Sequence, residues 1–332
     1  MKSEKELIDD LMDLMKLSLK QNNTQYKTKS RPTHAKTIGL LKGQFHISKS
    51  IPSKYKLGVF ESSKSFDTWI RFANASGHIS ADKNKDLRSI SIKLIDVKGE
   101  RFINDKNSQD FLLQSYPTLG VGTLKNFRDA THYAVRYKKY GLSKFMLIFG
   151  FLFTGRFNVI KNFIKSTKTD DSLLHISYWS QTPYKLGDSI VKYILKPTEK
   201  DTMNLKRNDS DNFLKENMSK HLDTKSASFD FFIQPFINEK STPTEDASIL
   251  WDETLSKPIK IGRLEIPIQK FDTKERMRTS HNMSFDLANV LSVHEPIGGL
   301  NRARIETYYE ISQMRAKKNK VELVEPTFDE CA

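Results

Sequence analysis

The stretch RPTHAK at residues 31–36 combines side chains that can bind an anion and move a proton. Arg31 and His34 lie three residues apart, and Thr33 precedes the histidine. Arginine presents a planar fork of donors that fits carboxylates, and histidine exchanges a proton near neutral pH. Taken alone, His34 equally fits an ordinary hydrogen-bonded histidine. The stretch is therefore a candidate site that needs partners elsewhere in the chain.

A helix near the end of the chain supplies a second candidate set, within the stretch NRARIETYYEISQMRAK that begins at Asn301. A helix turns by about 100° per residue, so Tyr308 lies about 40° and Arg315 about 20° from Arg304, whereas Tyr309 lies about 140° away. A guanidinium beside a phenol favours the phenolate, and tyrosinate is a known axial ligand of haem iron. A solvated helix face with one half-buried tyrosine fits the same residues.

Composition narrows the function classes. The chain has 332 residues with 54 Lys+Arg against 40 Asp+Glu, a net charge of +14. The basic residues are interspersed with acids and form no arginine-rich or aromatic-interleaved stripe, so we expect no nucleic-acid partner. Cys331 is the one cysteine, which fits a reducing compartment. Acidic residues interrupt the apolar N-terminus, so we expect neither a signal nor a transit peptide and a cytoplasmic location.

The hydrophobic pattern predicts an α+β fold. Ser3 and Glu6 fit a capping box at the start of an amphipathic helix. Residues 122–165 are helical in pattern, and the densely charged residues 197–226 predict a solvated helix and loop. Segments with a strand pattern are GQFHIS, DTWIRFANAS, SISIKLIDV, HISYWSQTPY, SIVKYILKP, SASFDFFIQPFI and KIGRLEIPIQKF. Strands in simple succession predict an antiparallel sheet or barrel with attached helices.

The most apolar stretch is FMLIFGFLFTG at residues 145–155. Its eleven residues are too few to cross a bilayer, which takes about 20. Two structural interpretations are a buried helix and a dimer contact. Two functional ones are an apolar channel wall and a patch that touches a membrane surface, so peripheral membrane association stays open.

Four motifs together carry a family resemblance. RPTHAK, IRFANAS with DLRSISIKL, NSQDFLLQSYP and GGLNRARIETYYEISQMR occur in the order found in catalase-like haem proteins. The similarity spans about residues 28–318 and is closest to the short branch, with catalase-related peroxidases and allene oxide synthases. It implies an antiparallel eight-stranded β-barrel with surrounding helices and haem b (iron protoporphyrin IX) beside it. The implied division is an N-terminal helix and polar leader at 1–27, one haem-binding domain at 28–318, and a polar tail at 319–332.

The resemblance also implies a role for each matching residue. His34 resembles the distal acid–base histidine, and Asn107 the distal asparagine that hydrogen-bonds peroxide. Tyr308, rather than Tyr309, resembles the iron ligand, with Arg304 as its guanidinium partner. The residues that resemble the family's haem-propionate ligands are Arg31, Arg71 and Arg315.

The implied activity is that of a haem-dependent hydroperoxidase, which decomposes hydrogen peroxide or organic hydroperoxides. Two positions depart from the larger catalases. Ala73 stands where they typically have a serine behind the distal histidine, and Thr33 stands where they typically have valine. A threonine at this position resembles allene oxide synthases, so a fatty-acid hydroperoxide isomerase or lyase is the first alternative. A haem-binding or membrane-associated protein without turnover is the second, and a homo-oligomer is left open.

Overall fold

A computed structural model describes residues 2–21, 31–199, 209–323, 325 and 327–329. Within these ranges the chain forms nine strands and seven α-helices. The strands are β1 (Thr37–Ile47), β2 (Ser65–Asn74), β3 (Arg88–Ile95), β4 (Ser108–Gln114), β5 (Tyr178–Trp179), β6 (Tyr184–Leu186), β7 (Ser189–Pro197), β8 (Ala227–Pro235) and β9 (Ile259–Ile266). The helices are α1 (Glu4–Gln21), α2 (Leu124–Arg136), α3 (Ser143–Phe153), α4 (Phe157–Ser166), α5 (Phe213–Leu222), α6 (Lys274–Asn282) and α7 (Gly299–Asn319).

Eight of the strands close into an antiparallel barrel. The pairing order runs β5-β4-β3-β2-β1-β9-β8-β7, and β5 also pairs with β7. The ring closes through the two residues of β5, Tyr178 and Trp179. Trp179 lies opposite Gln114 of β4 on one side and opposite Ile194 of β7 on the other. Strand β6 extends β7 as a hairpin outside the ring. The α+β fold with an eight-stranded antiparallel barrel is therefore confirmed.

Aromatic side chains fill the barrel interior. Phe111 meets Tyr193 at a ring-centroid distance of 5.0 Å and Phe231 at 5.1 Å, both edge to face. His294 is fully buried beside them, and its Nε2 accepts a hydrogen bond from the Val59 amide at 3.2 Å. Burial, with the charge of Arg101, lowers the pKa of His294 to about 3, so this histidine is a neutral part of the core. A filled barrel has no interior room for a ligand.

Helix α1 holds α7 in place. The capping box forms as the sequence predicts, since the Ser3 amide donates to Glu6 at 2.6 Å and the Glu6 amide donates to Ser3 Oγ at 3.3 Å. The apolar side of α1 packs in one cluster with residues of α2 and α7. Arg302 of α7 donates to both carboxylate oxygens of Glu4, at 2.7 and 3.0 Å. A two-bond contact of this kind fixes orientation as well as distance.

Helix α5 corrects one expectation from the sequence. The charged segment 197–226 does not form a solvated helix throughout, because α5 buries Phe213, Leu214, Met218 and Leu222 in the core. These apolar residues lie between lysines and acids and form the buried side of the helix. Residues 200–208 of the segment lie outside the described ranges.

The described residues near the C-terminus, 325 and 327–329, lie against the outer face of the barrel. Glu325 accepts a hydrogen bond from Ser108 at 2.6 Å and pairs with Lys106 at 2.7 Å and with the buried Lys93 at 3.4 Å. The Trp69 indole donates to the Thr327 carbonyl at 3.3 Å. Glu325 is thus an anionic anchor for a segment that the sequence presents as a polar tail.

Glu325 gives a testable dependence of stability on pH. Burial opposes its ionisation, but the Lys93 ammonium and the bonds from Lys106 and Ser108 lower the pKa of Glu325 from 4.5 to about 2. Its stabilising effect is therefore complete above pH 4.5 and is lost as pH falls to about 2. We expect Glu325→Gln to reduce the free energy of unfolding at pH 7 by about 1–3 kcal/mol.

Chemical denaturation across the pH range checks this expectation. The difference between the wild-type chain and Glu325→Gln should stay constant above pH 4.5 and shrink toward zero near pH 2. Glu322→Gln, an exposed position on the same segment, is the matched control and should change little. A difference that persists unchanged at low pH would contradict the anchoring role.

Candidate functional site

A cavity between the outer face of the barrel and α7 collects most of the predicted site residues. Strands β2, β3 and β4 form one side, α7 with Met15 of α1 forms another, and the 31–34 loop closes an end. The predicted residues that line it are Arg31, Thr33, His34, Arg71, Arg304, Tyr308 and Arg315. His34 and Tyr308 are 274 positions apart in sequence and line the same cavity.

The loop that carries His34 is held in a left-handed backbone conformation. His34 has a φ of 54°, a region that costs a residue with a Cβ about 1–2 kcal/mol. Its amide donates to the Ala75 carbonyl at 3.0 Å, and the Ala35 amide donates to the Ser76 carbonyl at 3.0 Å. These two bonds tie the loop to the end of β2 and offset the strain. Strain maintained by its surroundings is typical of functional positions.

Ser89 of β3 fixes the tautomer of His34. Ser89 Oγ lies 2.9 Å from His34 Nδ1 and 3.1 Å from the Ala73 carbonyl oxygen. A hydroxyl has one proton, and the carbonyl can only accept, so Ser89 donates to Ala73 and accepts from a protonated Nδ1. His34 Nε2 is then the nitrogen with a free lone pair.

The surroundings of His34 also keep the ring neutral. Burial and the charges of Arg71, Arg304 and Arg31 lower the pKa of His34 to about 3. The ring is therefore neutral near pH 7, and the unprotonated Nε2 can accept a hydrogen bond or a proton from a group bound in the cavity. The sequence analysis points to positions 33 and 73 for a hydroxyl beside the histidine and does not identify Ser89, which lies directly opposite Ala73 in the β2–β3 pairing.

Asn107 does not reach the cavity. It is exposed, and its carbonyl accepts from the Val97 amide at 3.0 Å in the turn before β4. Gln114, at the other end of β4 and about 23 Å further along the strand, lines the cavity instead and pairs with Ser89 across the strands. In the described part of the chain, the buried Gln114 Oε1 has no hydrogen-bond partner. An amide with spare capacity therefore lies beside His34, where the sequence had led us to expect Asn107.

Three arginines converge at one end of the cavity. Arg31 donates to the carbonyls of Ser280 and Met283 at 2.9 and 2.7 Å, and Arg315 donates to the His281 carbonyl at 2.9 Å. Arg71, on β2, donates through Nη2 to the His34 carbonyl and to Thr37 Oγ1, both at 2.8 Å. All of these acceptors are neutral.

The charge of this arginine cluster (Arg31, Arg71 and Arg315) is uncompensated. Within the described ranges none of the three forms an ion pair, although Arg71 and Arg315 are each only 3% exposed. Burial and the neighbouring guanidiniums lower the pKa of Arg31 well below its usual range, and the same causes lower the pKa of Arg71 to about 9. Buried charges are normally paired, so the cluster is a candidate site for an anion.

Tyr308 is held between α1 and Arg304. Its ring is half-buried and packs on the cluster formed by α1, α2 and α7. The Arg304 guanidinium carbon lies 5.4 Å from the centre of the ring, and Arg304 also donates weakly to Thr182 and Asn301 at 3.4 and 3.3 Å. Tyr309 is 56% exposed and does not line the cavity. The helix thus presents Tyr308, and not its neighbour, to the site.

Solved structures that resemble this chain include three catalases. A fungal catalase superposes with a TM-score of 0.68 at 15% sequence identity, over 88% of this chain and 61% of that one. Catalase A from Saccharomyces cerevisiae gives 0.68 at 14% identity, over 91% and 66%. A bacterial catalase gives 0.61 at 13% identity, over 90% and 61%. The fold is catalase-like. No family model and no curated protein matches the sequence.

The similarity does not extend over the whole length of the matched catalases. The catalase-like chain spans about three fifths to two thirds of the length of the catalases it matches. Identity of 13–15% establishes the shared architecture only.

The hydrogen-bond geometry around His34 predicts a single tautomer. In ring-nitrogen NMR spectra we expect His34 to carry its proton on Nδ1, to leave Nε2 unprotonated, and to stay neutral until pH approaches about 3. Ser89→Ala should allow the second tautomer, because Nδ1 then loses its acceptor. Ser91→Ala, at a nearby cavity-lining serine of β3, should leave the His34 signals unchanged. Titration of His34 near pH 6.5 would contradict this account.

Proposed function

We propose that this cavity binds haem b and that the protein is a haem-dependent hydroperoxidase. The observation that supports this most directly is the arrangement of His34 and Tyr308 on one cavity that ends in the uncompensated arginine cluster. A planar dianionic ligand with one metal centre matches a phenol, an imidazole and a set of carboxylate-binding guanidiniums. The catalase-like fold agrees with this proposal.

The donor set of the chain fits haem. The arginine cluster would hold the two propionates, which would supply the negative charge that its neutral acceptors do not. Tyr308 would hold the iron through its phenol oxygen, and the Arg304 guanidinium lies against its ring, 5.4 Å from the ring centre. When bound, ferric haem would supply the iron centre at which the O–O bond of a peroxide is cleaved.

The other cavity residues account for the proton movements. His34 Nε2 would take the proton from one peroxide oxygen and deliver it to the other, which turns that oxygen into a good leaving group. Ser89 would keep the ring in the tautomer that this transfer needs, and its bond to Ala73 keeps the hydroxyl itself oriented. Gln114 Oε1, which has no hydrogen-bond partner in the described part of the chain, would accept a hydrogen bond from the O–H of a bound hydroperoxide.

Thr33 favours a second candidate function. This residue precedes His34 and lines the cavity, so its hydroxyl can hydrogen-bond a bound hydroperoxide. A hydroxyl at this point can alter which products follow O–O cleavage. A fatty-acid hydroperoxide isomerase or lyase would use the same cavity residues, Thr33 and His34 among them, on a lipid hydroperoxide.

Adjacent tyrosines provide a matched test of haem ligation. We expect the haem-loaded protein to show the absorption spectrum of a high-spin ferric tyrosinate complex, and Tyr308→Phe to abolish it because the iron loses its oxygen ligand. Tyr309→Phe should preserve the spectrum, since that ring is 56% exposed outside the cavity. Haem spectra that respond to Tyr309→Phe and not to Tyr308→Phe would refute the assignment.

Substitution of His34 tests turnover separately from binding. We expect His34→Gln to keep the haem spectrum and to lower kcat for peroxide by about 10²–10⁴-fold, because the proton acceptor is lost. His46→Gln, at a partly exposed histidine of β1 that does not line the cavity, is the control and should retain full activity. An oxygen electrode with hydrogen peroxide, and the conjugated-diene absorbance of a fatty-acid hydroperoxide, separate the two candidates. Bound haem with neither activity would contradict both.

A further inference from the structure

Helix α3 presents an apolar face to solvent. Five of its residues recur at intervals of three and four and so lie along one side of the helix. Their exposed fractions are 63% for Phe145, 45% for Ile148, 51% for Phe149, 44% for Leu152 and 83% for Phe153. The three phenylalanine rings stack in a row, with centroids 6.0 and 6.1 Å apart. We call these five residues the aromatic face.

The side of α3 opposite the aromatic face attaches the α3–α4 hairpin to the body of the protein. Phe151 is fully buried and meets the Tyr133 ring of α2 at 5.9 Å, and Gly150 lies so close to the same ring that a Cβ would approach it within 2.2 Å. Helix α4 enlarges the exposed apolar area through Phe157, Phe163 and Ile164, which are 61%, 46% and 66% exposed. An apolar area that continues over two helices marks an interaction surface.

The same region is basic and contains no acid. Between Asp129 and Asp170 the sequence has eight lysines and arginines and not one aspartate or glutamate. The eight are Arg136, Lys138, Lys139, Lys144, Arg156, Lys161, Lys165 and Lys168. Lys144, Lys161 and Lys165 are exposed, and none of the three forms an ion pair within the described ranges. The flanking acids are engaged elsewhere, Asp129 by Arg128 and Arg156 and Asp170 by Arg88.

These properties favour an anionic lipid surface over a second copy of the chain. A symmetric contact would bring two acid-free, lysine-rich patches together, and like charges oppose such an association. A bilayer with anionic headgroups satisfies both features, because phenylalanines partition into the interface and lysines are attracted to its negative potential. Within the described ranges no helix has the length and apolar character to cross a membrane. The hairpin would therefore lie along the surface.

We propose that the α3–α4 hairpin docks the protein on anionic lipid bilayers, with the aromatic face inserted at the headgroup–acyl boundary and the lysines on the headgroups. Docking of this kind places a defined side of the protein against the lipid. Helix α4 lies on the segment that follows Gln114, since a Cβ on Gly120 would lie 3.1 Å from the Phe163 amide nitrogen. The docked hairpin therefore lies beside the segment that follows β4, the strand that carries the cavity residue Gln114. The proposal does not depend on haem or on turnover.

Co-sedimentation with vesicles tests the proposal. We expect the full chain to sediment with vesicles of equal parts phosphatidylserine and phosphatidylcholine, to bind pure phosphatidylcholine much less, and to dissociate as salt is added. Lys161→Ser with Lys165→Ser should lower the partition coefficient on the anionic vesicles by about twentyfold. Phe149→Ser with Phe153→Ser should also reduce it strongly. Leu255→Ser with Ile268→Ser, at positions 63% and 58% exposed elsewhere on the surface, should leave binding unchanged.

Three outcomes would overturn the proposal. The first is that the wild-type chain does not bind the anionic vesicles, and the second is that all the variants bind them equally. The third is that light scattering shows a stable dimer that Phe149→Ser with Phe153→Ser dissociates, while vesicles remain unbound. The aromatic face would then be an interface between copies of the chain. Because circular dichroism reports folding of each variant separately, a loss of binding can be assigned to the surface.

Discussion

The organising constraint of this molecule is the positive charge buried between the barrel and α7. Arg31, Arg71 and Arg315 come from a loop, a strand and the last helix, and the acceptors that they meet within the described ranges are neutral oxygens. Leaving a buried charge without its partner costs about 3–5 kcal/mol. Hydrogen bonds to backbone carbonyls and to Thr37 offset part of this cost. An anion bound as proposed would offset more of it, so the charges that oppose folding would favour binding.

Two features bring these charges together, the closure of the barrel and the packing of α1 against α7. The arginine of β2 and the serine of β3 are fixed by continuous antiparallel pairing, whereas α7 depends on contacts from far earlier in the chain. The bond between Glu4 and Arg302 and the apolar packing of α1 on Tyr308 give the first helix a direct part in the site. The N-terminal helix is thus as much a support of the tyrosine as the helix that carries it.

Parts of the site that depend on local spacing could be predicted from the sequence, and parts that depend on strand register could not. The arginine–tyrosine–arginine face follows from helix periodicity alone, and α7 places Arg304, Tyr308 and Arg315 on the cavity as expected. The sequence analysis assigns the cavity amide to Asn107, which lies outside the cavity, because the sequence pattern does not reveal β4 as a strand. A long turn after β3 displaces the start of β4, so that Gln114 pairs with Ser89. Strand β5 lies within the predicted strand segment HISYWSQTPY, but the sequence does not show that only Tyr178 and Trp179 pair there, or that this short pairing closes the barrel.

The exchange between Ala73 and Ser89 shows why a missing residue is weak evidence against a function. On sequence, an alanine at position 73 removes the hydroxyl that the resemblance implies behind the distal histidine. In the barrel, positions 73 and 89 face each other on adjacent antiparallel strands, where side chains lie about 5 Å apart and share the same neighbours. A hydroxyl on either strand can reach His34 Nδ1, and here it does so from β3 while the Ala73 carbonyl orients it. The proposed proton transfer would require an oxygen at that point in space, and either strand of the sheet could supply it.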